Sequence, residues 1–214
     1  MMIARSFRLF VCALLALAGS AGAALAHPHV WVTMRTEIIV DPDGMVTGLR
    51  QAWTFDEAFT AFALQGLERN KDGSYPDKVL APLAKVNVTS LKEYNYFVRG
   101  KTATSRLVFK DPVDYHLTFA NDALTLHFVL PLAKPVPARG SLSFDIYDPT
   151  YFVAFSFEEK APVALVGAPD GCKAEVISPA PSDSSPLSES FFANLADASS
   201  YAAQFADKIK VKCP

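Results

Sequence analysis

Between residues 30 and 40 apolar side chains fall on alternate positions, Val30, Val32, Met34, Ile38 and Val40, with Thr33, Arg35 and Glu37 among those between them. A period of two marks a half-buried strand, because successive side chains of an extended chain point to opposite faces. Asp41-Pro42-Asp43-Gly44 follows as a turn, with proline presetting φ, aspartate bonding nearby backbone and glycine accepting a positive φ. Residues 45–55 then return as the hairpin partner. The chain is thus committed early to antiparallel pairing, and the apolar face of such a sheet must be buried against a second layer.

Thr54 with Glu57 fits a capping box, and Phe59, Phe62, Ala63, Gly66 and Leu67 recur at helical spacing, so a helix is expected over about 56–67. Residues 68–76 place Asn70, Asp72 and Gly73 as in a calcium loop, but Val79 stands where the bidentate glutamate belongs and Lys71 lies inside. A loop without an ion is expected. A second helix is expected over 77–91 with Val79, Leu80, Leu83 and Val86 inward, Pro82 falling early enough to be tolerated. Strands are expected near 94–99, 105–110, 114–120, 123–130, 141–147 and 152–158, with a proline-rich link over 131–137. Residues 178–188 form a Pro/Ser tract, and over 190–209 Phe191, Leu195, Ala198, Ala202, Phe205 and Ile209 share a helical stripe. The fold class expected is α+β: a mainly antiparallel sheet or sandwich with two inserted helices and a C-terminal helix docked on it.

Arg5 and Arg8, the apolar run over 9–18 and the small residues Ala24-Leu25-Ala26 compose a secretory signal. The expectation is a cleaved leader over 1–26 and a single periplasmic domain over 27–214, with no stable membrane insertion after cleavage. Without Arg5 and Arg8, eighteen basic side chains face twenty-two acidic ones. No basic stripe stands out along the chain, which argues against a nucleic-acid partner. Cys12 leaves with the leader, and Cys172 and Cys213 remain as an even pair in an oxidising compartment, where a disulfide is expected.

Cleavage after Ala26 would make His27 the first residue, so that its amine and imidazole could chelate one metal as a histidine brace. In an extended chain His29 projects to the same side. Pro28 has no amide proton, which disfavours the alternative amino-terminal copper mode. His116 and His127 are related by a second hairpin: with Asn121-Asp122 as its turn, position i faces 243 − i, so His116 faces His127 on the side opposite Leu117, Phe119, Leu124, Leu126 and Phe128. Opposed Cβ atoms lie about 5 Å apart, close enough to share an ion. Asp148, ahead of Pro149, and Asp56, at the start of the first helix, are the carboxylates best placed to complete a site. Each has a structural alternative as turn former or helix cap, and the histidines alternatively belong to a polar terminus and a polar strand face. The chain has no GxSxG, HExxH or Gly-rich phosphate loop, and no enzyme is expected.

His27-Pro28-His29-Val30, Trp53-Thr54-Phe55-Asp56-Glu57, Leu124-Thr125-Leu126-His127-Phe128 with Pro131-Leu132, and Tyr147-Asp148-Pro149-Thr150-Tyr151 together resemble the exported bacterial proteins of domain-of-unknown-function family one thousand and seven. The resemblance implies a periplasmic role associated with nickel, cobalt or zinc transport, and brings no established ligands. A two-lobed binding-protein fold is not expected, since that needs repeated βα crossovers. The leading expectation is an accessory protein that captures a divalent transition metal (zinc, nickel, cobalt or copper) through His27, His29, His116, His127 and Asp148 and hands it to a membrane transporter. The alternatives are a metal-free docking domain of the envelope and a copper metalloenzyme with a brace-like site.

Overall fold

The computed structural model describes residues 28–179, 202–204 and 206–214. The expected leader, His27, most of the Pro/Ser tract and most of the expected terminal helix lie outside the described residues.

β1 (Val30–Val40) and β2 (Met45–Phe55) form the expected hairpin, in register from Val32 opposite Phe55 to Val40 opposite Val46. Asp41 closes its turn, Oδ1 accepting the N–H groups of Asp43 and Met45 at 3.0 and 2.9 Å. On its other edge β2 pairs antiparallel with β5 (Ala123–Pro137), and β5 with β4 (Val113–Ala120). The far edge of β1 is taken by β7 (Val153–Phe157) and β8 (Val163–Val166), both parallel to it. A second, antiparallel sheet has the order β3 (Val98–Thr102), β6 (Leu142–Ile146), β10 (Lys208–Lys212), β9 (Lys173–Ile177). The structure is therefore mostly β-sheet, dominated by antiparallel pairs, with a parallel edge that the sequence did not suggest.

The apolar faces of the two sheets join one core, to which the first contributes Met34, Ile38, Leu49, Trp53 and Phe128 and the second Phe144, Ile146, Ile209 and Val211. Trp53 meets Phe128 and Phe155 edge-on, with centroids 4.9 and 5.0 Å apart, the geometry favoured by aromatic quadrupoles. One polar pair is sealed inside. Thr36 Oγ1 donates to Gln51 Oε1 at 2.8 Å across the β1–β2 ladder, which offsets the cost of burying those two oxygens and leaves the Gln51 amide nitrogen without a partner among the described residues.

The inserted helices are α1 (Glu57–Ala63), shorter than expected, and α2 (Asp77–Leu91), with the bounds expected. α2 buries Leu80, Ala84 and Val88, four residues apart, and leaves Val86 62% exposed. Val86 is thus corrected to an outward position, because its place on the helix is half a turn from that stripe. The segment expected as a strand over 94–99 begins instead with a 3₁₀ turn over Lys92–Phe97, and Asn95, Tyr96 and Phe97 have positive φ. Burial of Tyr96 and Phe97 offsets that backbone cost. Residues 131–137 are no link: β5 runs through them to pair Val136 and Pro137 with Val46 and Met45.

The expected terminal helix does not reach Ile209. Residues 202–204 are helical, but Lys208–Lys212 is strand β10, where Lys208, Lys210 and Lys212 alternate with buried Ile209 and Val211. A period of two won locally over the helical stripe. Cys172 and Cys213 are disulfide-bonded across 41 residues of sequence, just beyond the last paired residues of β9 and β10, Lys173 and Lys212. The bond clips two neighbouring strands together at one end. Replacing both cysteines by serine is expected to lower unfolding free energy by about 3–4 kcal/mol, measured by denaturant titration beside the untreated protein.

Candidate functional site

Three of the singled-out residues gather at the amino end of β1. Asp56 follows β2 and caps α1: Oδ1 accepts the Phe59 N–H at 2.9 Å and Oδ2 the Trp31 N–H at 2.7 Å. The cap is therefore Asp56, not Thr54. The latter is still in the strand, its hydroxyl 2.9 Å from that of Thr125. Asp148 is buried, with Oδ1 accepting from the Thr150 N–H and hydroxyl at 2.8 Å each and Oδ2 from the Val153 N–H at 2.9 Å. Both carboxylates hold backbone together where β1 begins. His29 is exposed there, its N–H donating to the Phe152 carbonyl at 2.9 Å and its ring 4.8 Å from that of Phe152.

His116 and His127 stand opposite each other in the register that the hairpin count predicts, along with Leu117 and Leu126, Thr118 and Thr125, and Phe119 and Leu124. Asn121 and Asp122 both have positive φ, as a two-residue hairpin turn of the twist-matched kind requires. Just ahead of His116 the ladder shifts between Val113 and His116, with Asp114 at positive φ. This is a bulge of the type that re-aims side chains. The two imidazoles stack with centroids 4.7 Å apart and planes 10° from parallel. Thr118 Oγ1 lies 2.9 Å from His127 Nε2. Partial burial, and then the neighbouring His116, hold the His127 pKa below its ordinary value. A neutral imidazole is the form that ligates metal.

The two groupings are separate. His127 faces Ala52, and Ala52 faces Arg35 on β1, six residues from His29. At strand dimensions that offset, with two strand spacings across the sheet, puts the pair roughly 20 Å from His29. Among the described residues no three His, Cys, Asp or Glu side chains cluster as a metal would need. The pair alone falls short of one ideal site as it stands, since two nitrogens on a tetrahedral ion lie about 3.3 Å apart; ring rotation is needed to close on a metal.

The loop after α1 holds itself. Asp72 Oδ1 accepts from the Ser74 N–H and hydroxyl at 3.0 and 2.7 Å, bonds that lower its pKa. A cleft of about 580 Å³ escaped sequence reasoning and lies between β3 and the segment after it. Arg99, Lys101 and Arg106 line it together with Val108, Phe109 and Tyr147. Arg99 sits 4.0 Å over the Tyr147 ring. Next to it, burial and the bond to Asp111 push the Tyr96 hydroxyl up to about 12. Only strand pairing brings these residues together, so no local motif announced them.

The family model of DUF1007, described as a protein of unknown function, matches residues 12–213, and the chain belongs to that family. An uncharacterised protein of Haemophilus influenzae is 26% identical over 156 residues, covering 72% of this chain and 74% of its own. An uncharacterised 15.5 kDa protein of Spirochaeta aurantia is 33% identical over 107 residues, covering 50% of this chain and 76% of its own. Among solved structures, acetylcholine-binding protein type 1 of Biomphalaria glabrata covers 87% of both chains at 11% identity with a TM-score of 0.40, too low to assign a shared fold.

Asp148→Ala is expected to destabilise the protein by about 3 kcal/mol, because three part-buried donors lose their shared acceptor; thermal unfolding at neutral pH checks this. His127 supplies a pH dependence. Its folded pKa lies below the unfolded value of about 6.5, so the unfolded state takes up the proton first. Stability from this source is full above about pH 6.5 and falls as pH drops through the folded value. His127→Gln is expected to flatten that limb of the stability profile, as read by melting temperature between about pH 7 and pH 5.

Proposed function

We propose that this DUF1007 protein is an exported accessory protein that binds a divalent transition metal and passes it to a membrane transporter, with the His116–His127 pair as the ion's seat. The observation that carries the reading is the pair itself: two imidazoles on opposed positions of one hairpin, 4.7 Å apart, one of them favoured as neutral by its surroundings. Imidazole nitrogen accepts zinc, nickel, cobalt and copper alike. Two protein ligands leave open positions for water or for a ligand from the recipient, so the ion exchanges readily. That suits hand-over better than storage.

The amino end of β1 is a second, independent element of the proposal. Two residues of chain span at most about 7 Å, so a brace at His27, with His29, works at that end and does not reach the pair. Asp148 drops out as a ligand in this reading, since both its oxygens already serve backbone and side-chain donors of its own loop. The metal-free docking reading draws on other features, Trp31 and Phe62 being 53% and 74% exposed.

Calorimetric titration with zinc, nickel and copper tests the proposal. One ion is expected to bind at the pair at neutral pH, with affinity falling below about pH 6 as the imidazoles protonate. His116→Ala and His127→Ala are each expected to weaken that event by more than about tenfold. One extra residue ahead of His27 should leave it unchanged and affect only the amino-terminal event. Absence of binding, or equal affinity in the double alanine variant, overturns the pair as the seat and gives the docking reading the lead.

A further inference from the structure

The outward face of the second sheet carries a charge pattern invisible along the chain. Along β10, Lys208, Lys210 and Lys212 point away from the core while Ile209 and Val211 are buried. Strand register sets Lys208 opposite Asp145, which faces Arg99 on β3, and Lys210 opposite Ser143, which faces Lys101. Lys212 stands opposite Lys173 on β9, and Arg106 is bridged to Lys101 at the sheet edge. Seven cations thus share one face with two carboxylates, Asp145 and Glu175. The other described residues hold eleven cations and seventeen carboxylates, so this face is positive by five on a body negative by six.

The two carboxylates are already engaged, Asp145 with Lys208 at 3.5 Å and Glu175 with Lys212 at 3.3 Å. Among the described residues no carboxylate is within ion-pair distance of Lys101, Arg106, Lys173 or Lys210, all of them exposed. Like charges directly opposed across a ladder, as Lys212 and Lys173 are, cost stability. Lysines on edge strands guard against strand addition, which accounts for Lys101 and Lys173. It does not account for β10, which is flanked by β6 and β9.

We infer that this sheet face is a docking surface for an anionic phospholipid bilayer. The cations lie on a four-stranded sheet face, not along a groove, and five of the seven are lysines. Lysine acts as a point charge, whereas fitted recognition of a single phosphate favours the arginine fork. A spread of point charges matches a planar array of headgroup phosphates and binds it through the surface potential, without insertion. At its edge the face opens into the 580 Å³ cleft, where Arg99, Lys101 and Arg106 converge. The cleft gives one headgroup a concave seat.

Vesicle co-sedimentation tests this. The full protein is expected to bind vesicles of phosphatidylcholine containing about one-third phosphatidylglycerol and not those of phosphatidylcholine alone. Binding should vanish when salt rises from about 0.05 to about 0.5 M, which shortens the screening length from about 14 to about 4 Å. Lys101→Glu/Lys210→Glu, four charge units more negative, should lower the partition coefficient at least about tenfold while its circular dichroism and melting curve match the parent. If that variant does not fold, Lys101→Gln/Lys210→Gln replaces it, with a smaller but resolvable loss. The inference is overturned if the parent protein ignores phosphatidylglycerol, if the folded variant binds as the parent does, or if polyglutamate or duplex DNA at equal charge concentration strips the protein from the vesicles.

Discussion

β1 is hydrogen-bonded along both edges, and the rest of the structure depends on it. Its alternate side chains from Val30 to Val40 are buried, while β2 takes one edge and β7 and β8 divide the other. A one-residue slip against β2 would turn Val32, Met34 and Ile38 outward and bury Thr33, Arg35 and Glu37. The register is thus fixed by desolvation of charge as much as by apolar burial, and Glu37 uses its outward position to meet Arg35 at 3.1 Å. That register passes from β1 through β2 to β5. It decides that His127 lies beside Ala52 and therefore which face His116 shares.

The same strand explains why Asp56 and Asp148 converge. A strand that starts at a sheet end leaves N–H groups to be satisfied. Asp56 accepts from Trp31 while capping α1, and Asp148 ties Thr150 and Val153 into the loop from which β7 starts beside Val30. One carboxylate thereby fixes a helix to the strand, and the other fixes the parallel neighbour. An ion recruiting either one would have to replace bonds to backbone donors, which raises the cost of binding there. The imidazoles on β4 and β5 carry no such duty to the backbone.

What the sequence showed depended on how far apart the interacting residues lie in the chain. The hairpin of β1 and β2, the α2 bounds and the His116–His127 register are governed by short-range rules, a turn at Asp41–Gly44 or Asn121-Asp122 and a counted alternation. The Cys172–Cys213 bond followed from the arithmetic of a leftover pair. The capping box at Thr54 failed because Thr54 lies inside β2, which runs to Phe55 and leaves the cap to Asp56. The inward assignment of Val86 failed because apolar spacing cannot say which of two overlapping stripes meets a sheet laid down elsewhere. Residues 131–137 looked like a link because proline donates no hydrogen bond, yet the ladder shift between Val46 and Gly48 accommodates them. Gly48 itself shows how closely β2 and β5 approach: a Cβ there would lie 2.8 Å from the Leu130 carbonyl oxygen.

The residues that sequence reasoning missed are those whose meaning exists only across strands. Lys101, Lys173 and Lys210 come from three strands and from segments separated by some seventy and thirty-seven residues, and the alternating lysines of 208–212 do not by themselves reveal the cations of the neighbouring strands. In a chain of net negative charge the average conceals them, because net charge says nothing of where charges of each sign are placed. Sheet formation separates them: pairing puts alternate residues on opposite faces, the core claims Ile209, Val211, Phe144 and Val98, and the polar partners of those residues have one remaining place to go. The His116–His127 pair faces outward from the first sheet by the same rule. Each sheet turns its apolar side to the common core, so the imidazole pair and the basic face point away from each other. An anionic surface meeting the lysines would therefore leave the imidazoles open to solvent and to a partner.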